Sequence, residues 1–598
     1  MDKSALVNKI KLLEGLTNDE KGDLIGLLRS HKKYGLVWEE KAEDVEERLR
    51  EQLPVLTEVK ERAIVSVDAD APNHILIEGD NLEALTALTY SHEGKIDVIY
   101  IDPPYNTGNK DFSYNDDYVD KEDAYRHSKW LSFICKRLKI AKRLLSDKGI
   151  IFISIDDNEQ ANLKLLCDGV FGEKNFKSNS IIMNNRGGRD YGGIALQHDY
   201  ILIYSKGIGE LNLINEIDKQ FQYNDKLGGF NLMELRNRNV KFNIDNRPNL
   251  CYPFYVNPNN PDSNGLLELS LEPKDNFIEV YPAKSNGIQT VWRWGKEEKA
   301  RKNLNIEIFG KKNRNGGYMI VQKYRKAVRM QRSIWDDKEF VNERGSEILK
   351  EILTQNIFSY PKSLYTIKRV LELGSNDSSI ILDFFAGSGT TLHATMQLNA
   401  EDGGNRQCIL VTNNENKICE EVTYVRNKRV INGYTTPKGE HIEGLKRNTL
   451  RYYQTELLPR EHSPKNMREL MSKATDLLCI KEDLYTEQPM FGRYKTHPKA
   501  LRYFADAQKQ MLILYREEFI PEIVEEIKGM DFGGKKLKVY LYSPGHYAFE
   551  DDFFEVQDKV ELIALPSAIY KAYKEVLPKA KDKLIELANE ETTEGSTL

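Results

Sequence analysis

Asp97-Val98-Ile99-Tyr100-Ile101-Asp102-Pro103-Pro104-Tyr105 is a short apolar run that ends in an acid, two prolines and an aromatic ring. The run from Val98 to Ile101 has no polar alternation, which predicts a strand buried on both faces, as in a parallel sheet. Ligands of open α/β sheets bind beyond the carboxyl ends of the strands, so Asp102 to Tyr105 stand where chemistry is done. Two prolines remove N–H donors and stiffen the loop. A carboxylate and bare carbonyls remain to accept hydrogen bonds from an amino group, followed by a ring able to stack on a flat base. A turn that merely ends a strand accounts for the prolines, but not for the acid before them and the ring after them.

The same alternation of strand and helix extends outward from this stretch. Ile75-Leu76-Ile77 is a strand followed by Glu78-Gly79-Asp80-Asn81, then by Leu82, Leu85 and Leu88 at helical spacing. A long helical pattern from about Glu122 to Leu145 leads to a strand at Ile150–Ile155, and another run closes at His198–Tyr204. The alternation then fades for about 150 residues and returns at Ile380-Ile381-Leu382-Asp383-Phe384-Phe385. There Ala386-Gly387-Ser388-Gly389-Thr390-Thr391 turns into a helix, and Gln407–Val411 is the next strand. Small residues at such a turn let a ligand approach the backbone, and the helix N-terminus offers N–H groups to a carboxylate. No lysine follows the glycines, so this is not a Walker A loop, and no third glycine completes a dinucleotide fingerprint.

The 598 residues predict three to four domains. A net charge of −6, from 86 basic and 92 acidic side chains, argues against simple coating of nucleic acid but permits a locally basic cleft. Six cysteines cannot frame so long a chain with disulfides, and none has zinc-ribbon spacing, so no metal is expected. The chain shows neither a signal-peptide core nor an apolar run near the ~20 residues of a bilayer crossing, so a cytoplasmic protein without a membrane is expected. Leu6, Ile10 and Leu13 share one helical face, and Thr17-Asn18-Asp19-Glu20 is a capping-box pattern, which predicts a helical arm.

Together the two motifs resemble amino-group DNA methyltransferases that use S-adenosylmethionine, in the β-class order with the catalytic motif before the glycine-rich one. More closely, the chain resembles the modification (Mod) subunits of type III restriction–modification systems. That resemblance rests on Lys33–Glu39, Ser333-Ile334-Trp335-Asp336-Asp337, Phe358–Ser363 and Ala474–Glu482. It implies an α/β fold, a Rossmann-like class I methyltransferase sheet interrupted by an inserted target-recognition domain. The expected division is an N-terminal helical arm (1–62), a catalytic half (63–205), the target-recognition domain (206–355), a cofactor half (356–455) and a C-terminal α+β module for dimerisation and partner docking (456–598). By position, Asp102, Pro103, Pro104 and Tyr105 would form the catalytic loop. Asp383, Phe385, Gly387 and Gly389 would cradle S-adenosylmethionine, and Thr390 or Thr391 could reach its carboxylate. Lys362 would be another carboxylate partner, and Asp80 a contact near the adenine. The acid that family members often place at the end of the next strand is replaced by Asn413-Asn414-Glu415, any of which could meet the ribose.

The implied reaction is methylation of adenine N6 on double-stranded DNA, with the base flipped out of the duplex. Cytosine N4 is the alternative, and an acid at the first motif position favours adenine by resemblance. Carbon-5 methylation needs a thiolate, which that family places after a proline, and no cysteine here follows one. Arg236, Arg238, Lys241, Trp292, Arg293 and Trp294 are candidate DNA contacts in the insertion, where basic, Asn and aromatic residues interleave. A homodimer and a separate ATPase–nuclease (Res) subunit are the implied partners. Three rivals are a stand-alone methyltransferase, a catalytically dead DNA-binding subunit and an RNA methyltransferase. A fourth, a metal-dependent nuclease, draws on Pro261-Asp262 and Glu272-Pro273-Lys274, although Pro273 would break the strand that pattern requires.

Overall fold

The computed structural model describes residues 36–579 apart from 110, 116, 188–192, 216–220, 326–327, 355–357 and 546, and of the first 35 residues only Ile10, Lys11, Leu13, Thr17 and Lys21. The Thr17–Glu20 capping box, and most of the amino-terminal helical pattern with it, lies outside the described residues. Two compact units emerge, one of residues 1–212 and 332–598, the other of residues 213–331.

The first unit is built on a ten-stranded sheet. From edge to edge its strands are Gln52–Glu58, Thr449–Pro459, Asn73–Glu78, Gln407–Thr412, Ile380–Asp383, Ile96–Ile101, Leu145–Ile155, His198–Ser205, Phe176–Met183 and Ile334–Trp335. The six strands from Thr449–Pro459 to Leu145–Ile155 are parallel, and antiparallel pairs flank them. Ile99, Ile101, Ile151, Ile153, Leu382 and Val411 are buried, as the unbroken apolar runs predict for a sheet covered on both faces. The chain leaves Asn73–Glu78 and skips two strand positions before Ile96–Ile101; the later strands Gln407–Thr412 and Ile380–Asp383 fill the gap. Ile96–Ile101 and Ile380–Asp383 are therefore neighbours, with Val98 opposite Ile381 and Ile99 opposite Leu382. That pairing sets the two sequence motifs side by side.

Three boundaries differ from the sequence reading. Gln52–Glu58, read as part of a helical arm, is an edge strand: Leu53, Val55 and Leu56 are buried in the sheet, and the helix Asp44–Glu51 leads directly into it. The inserted unit is narrower than 206–355, because Ile334–Trp335 pairs with Phe176–Met183 and so belongs to the core sheet. The carboxy-terminal stretch is not a separate unit either. Helix Pro464–Glu482 packs on the edge strand and on helix Asn81–His92, with Leu470, Ala474, Leu477 and Leu478 in the same apolar cluster as Val55, Ile77 and Leu85. Asn81–His92 is buried from Leu82 to His92 because helices as well as the sheet cover it. Beyond lies a five-stranded sheet ordered Glu487–Gln488, Leu501–Ala505, Gln510–Leu514, Leu537–Tyr542 and Val560–Leu565.

Among its described residues the second unit is β apart from short turns of helix. Its main sheet runs Tyr223–Asp225, Gly228–Glu234, Tyr318–Tyr324, Ile308–Lys312 and Leu266–Leu267. Its core gathers Leu235, Phe254, Trp292, Ile308 and Ile320.

Candidate active site

Four parallel strands bring their carboxyl ends to one cavity of about 480 Å³. Gly79, Asp80 and Asn81 line it from the first, Asp102 and Pro104 from the second, Phe384, Phe385 and Gly387 from the third, and Thr412, Asn413 and Glu415 from the fourth. The lining also includes Phe133 and Arg137 of helix Arg126–Leu144 and Glu43 from the amino-terminal segment. Lining carboxylates outnumber guanidiniums: Glu43, Asp44, Asp80, Asp102, Asp111 and Glu415 against Arg48 and Arg137. A buried ion pair cancels one of each, since Arg137 meets both oxygens of Glu43 at 3.0 and 2.9 Å. The cavity is left with an excess of negative charge, which favours a cationic guest.

The Asp102 loop is pinned from behind. The indole of the buried Trp130 donates to the Pro104 carbonyl at 2.7 Å. Asn106, in the left-handed region at φ 58°, donates its side-chain amide to the buried Glu159 at 2.6 Å, and Glu159 also meets His127 Nδ1 at 2.6 Å. Around Asp102 itself, the Tyr105 hydroxyl donates to Oδ1 at 2.9 Å. The Lys362 ammonium stands 3.5 Å from Asp102 Oδ1 and 3.3 Å from Asp199 Oδ2, and donates to the Tyr105 hydroxyl. Burial pushes the Asp102 carboxyl above its ordinary range, while Lys362 and the Tyr105 hydroxyl pull it down.

The glycine-rich turn is held by residues predicted to touch a ligand. Asp383 accepts from the Phe385 amide at 3.0 Å and from the Thr391 hydroxyl at 2.6 Å, and burial raises its carboxyl to about 7. Thr390 accepts from the buried Arg426 at 2.7 Å. Gly389, at φ 74°, fits because a Cβ there would lie 2.5 Å from Asn427 Nδ2.

The structure therefore sorts the candidates. Asp80, Asp102, Pro104, Phe385 and Gly387 line the cavity. Pro103 and Tyr105 lie in the adjoining loop. Asp383, Gly389, Thr390 and Thr391 do not line the cavity but build the turn, because their polar groups are spent on it. Lys362 faces two carboxylates rather than the cavity. Of the three ribose candidates, Asn413 and Glu415 reach the lining, while Asn414 Oδ1 accepts from the Glu420 amide at 3.2 Å. Sequence reasoning missed Glu43, Asn81, Arg137 and Asp199. Arg137 had left a signal: it shares with Trp130, Ile134 and Ala141 the helix face that packs inward.

In the second unit, Trp292 is core, donating from its indole to the Tyr252 carbonyl at 2.7 Å, and so is unavailable for a base. Arg236 is held by Glu234 at 2.8 Å and by the Ala283 carbonyl at 3.1 Å, and Arg293 donates to the Leu235 carbonyl at 3.3 Å. Trp294 stacks under the Lys299 ammonium. Arg238, paired with Glu234 at 2.9 Å, and Lys241 are exposed. The nuclease pattern is not assembled: Asp262 caps its own turn, Glu272 faces Lys296 and Arg301, and Lys274 faces Glu268. Among the described residues no group of three or more His, Cys, Asp or Glu could hold a metal, and no helix is long and apolar enough to cross a membrane.

Comparison with known proteins adds the lineage. Residues 96–424, which span both motifs, match the DNA methylase family. The chain is 34% identical over 380 residues to the type II methyltransferase M.KpnI of Klebsiella pneumoniae, an overlap of 62% of this chain and 88% of that protein. It is 33% identical over 457 residues to the Mod subunit of the type III restriction–modification enzyme EcoPI of Escherichia phage P1, covering 69% and 68% of the two chains. Among solved structures, the cytosine-N4-specific PvuII DNA methyltransferase overlaps 60% of this chain and 89% of its own at 10% identity, with a TM-score of 0.30. On the strength of the family match across both motifs, the chain belongs to the DNA methylases.

Proposed function

We propose that this DNA methylase is the modification subunit of a type III restriction–modification system, methylating adenine N6 at one DNA sequence. The observation that carries the reading is the Asp102 carboxylate lining an acidic cavity beside Phe385 and Gly387 of the glycine-rich turn on the neighbouring strand. S-adenosylmethionine fits that cavity by chemistry, because its sulfonium and amino groups are cationic and its ribose offers hydroxyls to Asn413 and Glu415. Phe385 and Gly387 supply an aromatic face and bare backbone, and Asp80 a further acceptor. When bound, this cofactor supplies an electrophilic methyl group.

The rest is the work of the chain's own residues. A base buried in a duplex cannot reach the loop, so it has to be flipped out. Asp102 and the Pro103 carbonyl accept the two amino hydrogens and leave the nitrogen lone pair directed at the cavity. Tyr105 stacks on the base and gives up its hydrogen bond to Asp102 on the base's arrival. Positioning and local charge are the main catalytic devices, because direct displacement needs no covalent help from the protein.

The similarity to Mod subunits supports double-stranded DNA as substrate and a separate ATPase–nuclease Res subunit as partner. A cytoplasmic homodimer completes the proposal, with exposed Arg238 and Lys241 of the unit 213–331 on the DNA-reading face. The test is to incubate the purified chain with unmethylated plasmid and S-adenosylmethionine and map modified bases. N6-methyladenine at one recurring sequence supports the reading. Methylated cytosine N4, or cleavage by the chain alone with Mg2+ and ATP, refutes it.

A further inference from the structure

We propose that Lys362 and Asp199 are a positioning pair that aims and charges the Asp102–Tyr105 loop, and that Lys362 is not a clamp for the cofactor carboxylate. The proposal deepens the methyltransferase reading of that loop and rests on it. Three elements converge here: the loop after strand Ile96–Ile101, the segment Pro361–Ser363, and the start of strand His198–Ser205. The Lys362 ammonium is mostly buried, with 13% of its side chain exposed, and its partners are Asp199 Oδ2 at 3.3 Å, Asp102 Oδ1 at 3.5 Å and the Tyr105 hydroxyl. Lys362 also lies 4.8 Å from the centre of the Tyr105 ring. It is absent from the residues lining the cavity.

The charge count gives the pair its purpose. Two carboxylates and one ammonium leave a single net negative charge, which belongs on Asp102 if Asp102 is to accept an amino hydrogen. Without Lys362, two buried carboxylates would face each other and one would hold a proton. Without Asp199, the ammonium would be free to settle on Asp102 and compete with the base. Tyr105 lies in the same chain of contacts: Lys362 donates to its hydroxyl, which donates to Asp102. Among the described residues, Tyr100 on its own strand and Asp383 on the neighbouring strand also interact electrostatically with Asp102, as Asp156 does with Asp199.

The full chain carrying Lys362→Gln, Lys362→Arg or Asp199→Asn tests this. The acid limb of kcat against pH, where Asp102 takes its proton, should move to higher pH in Lys362→Gln and to lower pH in Asp199→Asn, with Lys362→Arg close to the parent. Affinity for S-adenosylmethionine in Lys362→Gln should stay within about twofold while kcat at neutral pH falls. Carbodiimide labelling of Asp102 across pH, read by peptide mass spectrometry, follows the same titration with no methyl transfer involved. Opposite displacements of the two labelling midpoints support the pair. Coincident midpoints, or a large loss of cofactor affinity in Lys362→Gln with the acid limb unmoved, overturn it. A parent chain that methylates no base would refute the proposed function, and the labelling would still decide the pair.

Discussion

At the scale of the residue, Asp102 matters because one carboxylate oxygen already carries a hydrogen bond from Tyr105 and faces Lys362. It is a preformed acceptor whose hydrogen bond from Tyr105 is exchanged for one from a base. Asp102→Ala should keep cofactor and DNA binding and lose methyl transfer by about two orders of magnitude or more, since orientation is what the acid supplies. Single-turnover methylation with equilibrium binding measured alongside checks this, and near-parent turnover would refute the assignment. Tyr105→Ala should weaken methylation by the ~1–3 kcal/mol of a lost stack, and Tyr105→Phe should retain the stack. Asn413 and Glu415 reach the cavity lining and Asn414 does not, so Glu415→Gln or Asn413→Ala should raise the dissociation constant for S-adenosylmethionine, while Asn414→Ala should act through the turn it caps. Calorimetric titration of the three variants separates the two outcomes.

At the scale of the element, the sequence was legible where a strand ends in a motif. Val98–Ile101 and Ile380–Leu382 are read from unbroken apolar runs, and their pairing explains why distant motifs form one site. Which residue of a motif meets a ligand and which holds the turn was not legible. Asp383, Thr390 and Thr391 are of the right chemical type for ligand contact, yet Phe385, Arg426 and each other are their partners, and such local competition leaves no trace in spacing. The edge strand Gln52–Glu58 was missed because charged residues precede it and only its pairing with Thr449–Pro459 makes it a strand. The turn itself makes a sharp prediction. In Gly389→Ala the new methyl would meet Asn427 Nδ2 at 2.5 Å and Thr423 Cγ2 at 2.9 Å on a backbone at φ 74°. That variant should lose cofactor affinity together with stability, by roughly 1–3 kcal/mol. A thermal melt with and without S-adenosylmethionine reads both losses, and an unchanged melt would show the turn to be pliant.

At the scale of the whole molecule, the carboxy-terminal stretch and the catalytic sheet share a core. Thr449–Pro459 lies between Gln52–Glu58 and Asn73–Glu78, the backbone amide of Glu58 donates to Asp476 at 2.9 Å, and the Tyr573 hydroxyl donates to the Pro54 carbonyl at 2.9 Å. Truncation near Leu457 should therefore abolish cooperative unfolding rather than release an intact methyltransferase monomer; a folded, cofactor-binding fragment in calorimetry would contradict that. The same unit buries His74, whose ring is held neutral by its surroundings. His74 accepts from the Cys408 amide through Nδ1 at 3.1 Å, so its Nε2, 2.8 Å from Asn448 Oδ1, must be the donor. Both ring nitrogens are thus committed in the neutral form, and burial lowers the pKa to about 4. In the unfolded chain the same imidazole titrates near 6.5. Between those values the unfolded chain binds one more proton at this site than the folded chain does. Its contribution to stability is therefore full above pH 6.5 and declines as pH falls toward 4, by ~1.4 kcal/mol for each pH unit. His74→Gln removes that proton from the balance. Urea midpoints measured from pH 7 to pH 4.5 should fall less steeply in His74→Gln than in the parent, whatever the absolute cost of the substitution. Parallel slopes would mean that His74 is already protonated in the folded protein, with its bond to the Cys408 amide broken.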